Sequence, residues 1–115
     1  MAAIKSYTDL PQSKKLAEIL PPESADMYWY LATKGNPKAM FNEEYNKYGD
    51  FELPCWSLAS LLGVLPYCPD LSKHTDGKWY ITTYPNDVHT CLMAYDNPVD
   101  ACVVMIEKLH QLKML

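Results

Sequence analysis

The sequence predicts an α+β fold, with an antiparallel sheet of about four strands in two hairpins and three helices, in the order α-β-β-α-β-β-α. Three observations carry this reading. A C-terminal segment has apolar residues at helical spacing, two aromatic segments have strand composition and turn signals, and a short motif recurs in both halves of the chain. The 115 residues, 49% hydrophobic and 21% charged, suit a single globular domain spanning 1–115.

The first helix is expected over Gln12 to Leu20, with Leu16, Ile19 and Leu20 as its buried edge and Pro21-Pro22 as its stop. Ala25 to Thr33, containing Met27-Tyr28-Trp29-Tyr30-Leu31, then reads as a strand (25–33). Lys34-Gly35-Asn36-Pro37 turns it into a weaker strand at 38–42 around Ala39-Met40-Phe41. The polar run from Asn42 to Glu52 reads as a solvent-facing connection, because its carboxylates lack the alternate spacing and central glycine of a calcium loop.

A middle helix is expected from Leu53-Pro54-Cys55 through Leu61-Leu62, ended by Gly63 and Pro66 and stabilised by packing of Trp56, Leu58, Leu61, Leu62 and Leu65. Asp76-Gly77 is a turn signal ahead of the clearest hairpin. Its strands are Lys78 to Tyr84 (78–84) and Val88 to Tyr95 (88–95), joined through Pro85-Asn86-Asp87. Trp79, Ile81 and Thr83 share one face of the first strand.

The last helix starts at Asp96-Asn97-Pro98, where Asn97 can cap and Pro98 occupies the first helical position, whose N–H needs no partner. Val99, Cys102, Val103, Ile106 and Leu109, joined by Ala101, Met105 and Leu112, form one broad apolar face. Lys108, His110 and Lys113 suit its negative end. The two halves also share L-x-x-[I/V]-L-P, at Leu16 to Pro21 and Leu61 to Pro66. An internal α-β-β duplication, with halves near 10–50 and 54–96, would account for that match.

Charge narrows the partners. The net charge is −4, all ten basic residues are lysines, and only Lys14 and Lys15 are adjacent. Without an arginine fork or a basic stripe, nucleic acid is not an expected partner. No apolar run reaches the ~18 residues of a membrane span, so no membrane partner is expected. The first nine residues have no signal-peptide core, which together with reduced thiols leads to the expectation of a cytoplasmic protein.

Cys55, Cys68, Cys91 and Cys102 form no C-x-x-C pair, and the isolated glycines Gly35, Gly49, Gly63 and Gly77 form no phosphate cradle. No metal or cofactor is therefore expected. The sharpest catalytic candidate is Cys91 with His89, two apart on one strand face, where the imidazole could take the thiol proton. The binding candidates are Tyr28, Tyr30, Tyr80, Tyr84 and Tyr95, drawn from nine tyrosines and three tryptophans, residue types rich in interaction energy.

The segments Trp56-Ser57-Leu58-Ala59-Ser60-Leu61-Leu62 and Asn97-Pro98-Val99-Asp100-Ala101-Cys102, with Gly77-Lys78-Trp79-Tyr80 between them, resemble a family of small proteins found in gut Bacteroidetes and in their phages and mobile elements. The likeness runs from about Ser24 to the C-terminus and brings no catalytic residue, cofactor or ligand with it. It implies an intracellular bacterial or phage protein. Taken with the aromatic load, the expectation is a non-enzymatic protein-interaction or accessory domain of a mobile element, with a small Cys/His enzyme as the alternative.

Overall fold

The structure, a computed structural model, describes residues 5–30, 38–41, 52–66, 69–83, 90–91 and 95–115. It is an α+β fold in which three helices combine with antiparallel strands, in the predicted order of helices and hairpins. The helices are α1 (Leu10–Ala17), α2 (Leu58–Val64) and α3 (Pro98–Gln111). The strands are β1 (Met27–Tyr30), β2 (Lys38–Phe41), β3 (Glu52–Cys55), β4 (Asp70–Lys73), β5 (Trp79–Thr83) and β6 (Thr90–Cys91).

Two of these strands correct the sequence reading. Leu53-Pro54-Cys55 belongs to β3 and not to the start of the middle helix, because Met27 to Tyr30 offers it a complete antiparallel partner. Pro54 is tolerated there since β3 lies at a sheet edge, where a missing N–H need not break a ladder. The helix proper begins three residues later, after Ser57, whose hydroxyl accepts the Ser60 N–H. Residues 70–73 form β4, where Asp-Leu-Ser-Lys lacks strand composition and is held by pairing with β5.

The strands also divide between two three-stranded sheets, ordered β2-β1-β3 and β4-β5-β6, in place of one four-stranded sheet. β1 is central in the first and β5 in the second. The two halves thus share the order of a helix followed by strands but differ in strand order. The weak strand after Pro37 is present as β2, in register with β1 from Met27 opposite Phe41 to Tyr30 opposite Lys38. Residues 31–33, 42, 84, 88–89 and 92–94 of the expected strands, and the turns at 34–37 and 85–87, lie outside the described residues.

α1 starts and stops earlier than Gln12 to Leu20. Asp9 accepts the Gln12 N–H, and the Gln12 side chain in return accepts the Asp9 N–H, a reciprocal capping box with Pro11 in the first turn. The helix ends at Ala17, so Ile19 and Leu20 pack from the turn that follows. Asn97 caps α3 as the sequence predicts, accepting the Asp100 N–H at 2.9 Å.

α3 is the centre of the packing. It contacts α2, β5 and α1, and Val99, Ala101, Cys102, Met105, Ile106 and Leu109 are each fully buried. Around them gather Leu16 of α1, Trp56, Leu61 and Leu65 around α2, and Ile81 of β5, with Leu58 and Leu62 packed at the margin. His110, by contrast, is exposed. Truncating a fully buried isoleucine removes both transfer energy and contacts, so Ile106→Ala is expected to lower stability by about 2 to 5 kcal/mol. His110→Ala should stay within about 0.5 kcal/mol of the parent. Urea unfolding midpoints of the two variants test this, and equal midpoints would show that α3 is peripheral.

Candidate functional site

The five candidate tyrosines do not converge. Tyr28 is 1% exposed, so it serves packing and presents no face to a partner. Tyr30 contributes its backbone to β1, and its side chain and the whole of Tyr84 lie outside the described residues. Tyr95 is half-buried against the core and is bridged to Trp79 through both backbone hydrogen bonds, at 2.7 and 2.9 Å. Tyr80 is half-buried on β5 and belongs to an exposed cluster.

That cluster is built by the turn between β4 and β5. Gly77, at φ 82°, takes the left-handed conformation that its lack of Cβ permits, and its N–H donates to the His74 carbonyl at 2.9 Å. The His74 N–H donates to the Lys78 carbonyl, also at 2.9 Å, which closes the hairpin. The His74 ring then lies 4.0 Å from that of Tyr80, and Ser72 Oγ is 3.2 Å from His74 Nε2. Asp76 fixes the far end by accepting the Tyr80 hydroxyl at 3.0 Å and the Lys78 N–H at 2.8 Å.

The Lys78 N–H is the main reason the Asp76 carboxyl sits below its ordinary range, with the Tyr80 hydroxyl acting in the same sense. Lys78 pairs with Asp96, which raises the lysine above its usual value. On the opposite face of the hairpin, the Lys73 ammonium lies 5.9 Å from the centroid of Trp79. Tyr80 stood out in the sequence as an aromatic strand residue, whereas His74 carried no such signal. The Asp76-Gly77 turn was the visible signal, but the register that brings His74 onto Tyr80 depends on β4.

Two further polar groups have structural roles. Lys5 bridges Asp9 at 2.8 Å and Asp100 at 2.9 Å, tying the cap of α1 to the first turn of α3. Gln12 and Asn97 also donate to Asp100, each at 2.7 Å. Burial alone would raise the Asp100 carboxyl, but hydrogen bonds from Lys5, Gln12 and Asn97 outweigh it and hold the group below 3.8. Asp26 behaves alike: burial is outweighed by the Ser57 hydroxyl and N–H that it accepts at the start of α2.

The described thiols are sheltered. Cys55 lies beneath Thr8, among Thr8 and Ser13 hydroxyls that are themselves fully buried, and burial pushes it up to about 11. Burial likewise pushes Cys102 up to about 12. Cys91 pairs with Thr82 through its backbone, while its side chain and all of His89 lie outside the described residues. Among the described residues, no three His, Cys, Asp or Glu side chains are grouped to hold a metal ion. None of the helices is long and apolar enough to cross a membrane among those residues.

A hollow of about 320 Å³ lies at the margin of α1 and α3, lined by Lys15, Glu18, Ile19, Glu107, His110 and Gln111. Lys15 brings positive charge to it and Glu18 and Glu107 negative charge, so it is not lined by charge of one sign. No protein-family model, curated protein or solved structure matches the chain.

Two outcomes follow from these environments. Thiolate, not thiol, reacts with alkylating agents. Iodoacetamide at pH 8 should therefore leave Cys55 and Cys102 unmodified in the folded protein and label both in urea, as mapped by peptide mass spectrometry; rapid labelling of either without denaturant would contradict the burial. The Asp100 carboxyl is depressed below 3.8, so its contribution is complete above that value and is lost as pH falls through the lower, folded one. Asp100→Asn should make the loss of stability shallower as pH falls below 3.8, and an unchanged loss in urea melts would remove the group from the account.

Proposed function

We propose that the chain is a non-enzymatic protein-interaction domain that docks a partner protein on the exposed face of the β4–β5 hairpin. The observation that carries this reading is the fixed His74–Tyr80 pair, with rings 4.0 Å apart and the Tyr80 hydroxyl anchored on Asp76. An aromatic side chain already held in place loses little rotational freedom on binding and offers a large amphipathic surface, the combination that concentrates interaction energy. The sheltered, protonated thiols Cys55 and Cys102 favour the same reading over nucleophilic chemistry at those positions.

The setting we propose is the cytoplasm of a bacterium, with the chain an accessory protein of a phage or other mobile element. The resemblance of the Trp56 to Leu62 and Asn97 to Cys102 segments supports that setting. The net charge of −4, with no arginine, supports a protein partner over nucleic acid.

A photo-crosslinking phenylalanine analogue at Tyr80 tests the docking face in the cells that carry the gene. A single adduct protein is expected from position 80 and none from the same analogue at exposed Gln111. Tyr80→Ala should weaken binding of the captured partner about tenfold or more. Equal adducts from both positions, or a partner bound equally well by Tyr80→Ala, would remove this face from the function.

A further inference from the structure

We infer that the chain pairs with a second copy of itself through the open edge of β4, antiparallel and centred on Ser72. The backbone groups of the hairpin alternate in direction along each strand. His74 bonds to Lys78, and Ser72 and Asp70 stand opposite Tyr80 and Thr82, so the N–H and C=O groups of these residues point toward β5. Those of Leu71 and Lys73 consequently point away from it. The other side of β5 agrees: Trp79, opposite Lys73, exchanges both its backbone bonds with Tyr95 and therefore faces away from β4.

The outward groups of Leu71 and Lys73 meet no partner among the described residues. Pro69 precedes the strand and has no N–H, and the turn follows it, so the open edge offers donor and acceptor at two positions, i and i+2. An antiparallel partner must present the same pattern, and β4 itself does. A two-fold axis through Ser72 sets Leu71 against Lys73 of the second copy, and Lys73 against its Leu71, and closes four backbone hydrogen bonds.

Side-chain chemistry suits this register, a carboxylate acceptor meeting an imidazole N–H donor. Asp70, Ser72 and His74 share one side of the strand, and the two-fold pairing places Asp70 opposite His74 of the second copy on each side of the axis, with Ser72 meeting Ser72. A lysine on an edge ordinarily repels an incoming strand. Lys73 is instead turned along its own sheet, with its ammonium over Trp79. The joined sheet, β6-β5-β4 continued by its copy, carries two His74–Tyr80 pairs on one face. The pairing goes beyond the proposed docking function and holds whether or not that face takes another protein.

Sedimentation velocity of the full chain over a range from micromolar to about millimolar is expected to show a reversible monomer–dimer equilibrium. Lys73→Pro removes an outward N–H, together with the ammonium over Trp79, without breaking a bond to β5, and should raise the dimer dissociation constant tenfold or more. Asp70→Lys should do the same, and adding His74→Asp should restore pairing. Because Ser72 faces its copy at a non-hydrogen-bonded site, where Cα atoms are about 4.5 Å apart, Ser72→Cys with Cys68→Ser and Cys91→Ser should oxidise to a linked dimer. Thr75→Cys in the same background should not. A chain monomeric throughout, or crosslinking no faster at position 72 than at 75, would overturn the proposal. So would edge amides that gain exchange protection only from a different protein, which would assign the edge to that partner.

Discussion

Burial of α3 is the interaction on which the other elements depend. Its apolar residues occupy so much of the helix circumference that one partner could not cover them, and α2, β5 and α1 each take a share. The short α2, seven residues from Leu58 to Val64, is too brief to be stable alone and is held by Leu61 against that surface. β5 is fixed in the same way through Ile81 and Thr83, both fully buried, and the Thr83 hydroxyl faces the Met105 sulfur. The second sheet is therefore positioned by the helix that follows it.

A polar seam gives this apolar arrangement its registry. The segment before α1 runs antiparallel to the start of α2, with Thr8 donating to the Trp56 carbonyl and Leu58 to that of Ser6. Thr8 then meets Ser13 and Cys55, Trp29 donates to the Thr8 carbonyl, and Tyr7 sets its ring against that of Trp29. Lys5 joins the two helix starts at Asp9 and Asp100. Each carboxylate lies near the positive end of a helix dipole, so cap, dipole and ion pair favour one arrangement. The buried hydroxyls have partners, which limits the cost of keeping them from water.

The β4–β5 hairpin differs in kind from this core. Its Trp79–Thr83 strand is anchored by Ile81 and Thr83, whereas the turn, His74 and Asp76 are exposed. A rigid inner strand thus presents an ordered outer face. The open edge of β4 and the His74–Tyr80 face belong to one element, so an assembly formed through the first would align two copies of the second.

Elements whose signals are local can be read directly from the residues. Asn97-Pro98 set the start of α3, apolar spacing from Val99 to Leu109 set its buried face, the Trp79 to Thr83 run set β5, and Asp76-Gly77 set a turn. Each depends on residues within a few positions of one another, so periodicity and turn chemistry suffice. Tertiary structure decided what depends on distant partners. Leu53-Pro54-Cys55 became β3 because β1 lay ready to pair with it, and Asp70 to Lys73 became β4 because β5 did. Tyr28 became core where Tyr80 stayed at the surface, though both lie in aromatic strands. His74 joined Tyr80 through strand register alone. Pairing and burial are properties of surfaces brought together by the fold, and no short stretch of sequence contains both surfaces.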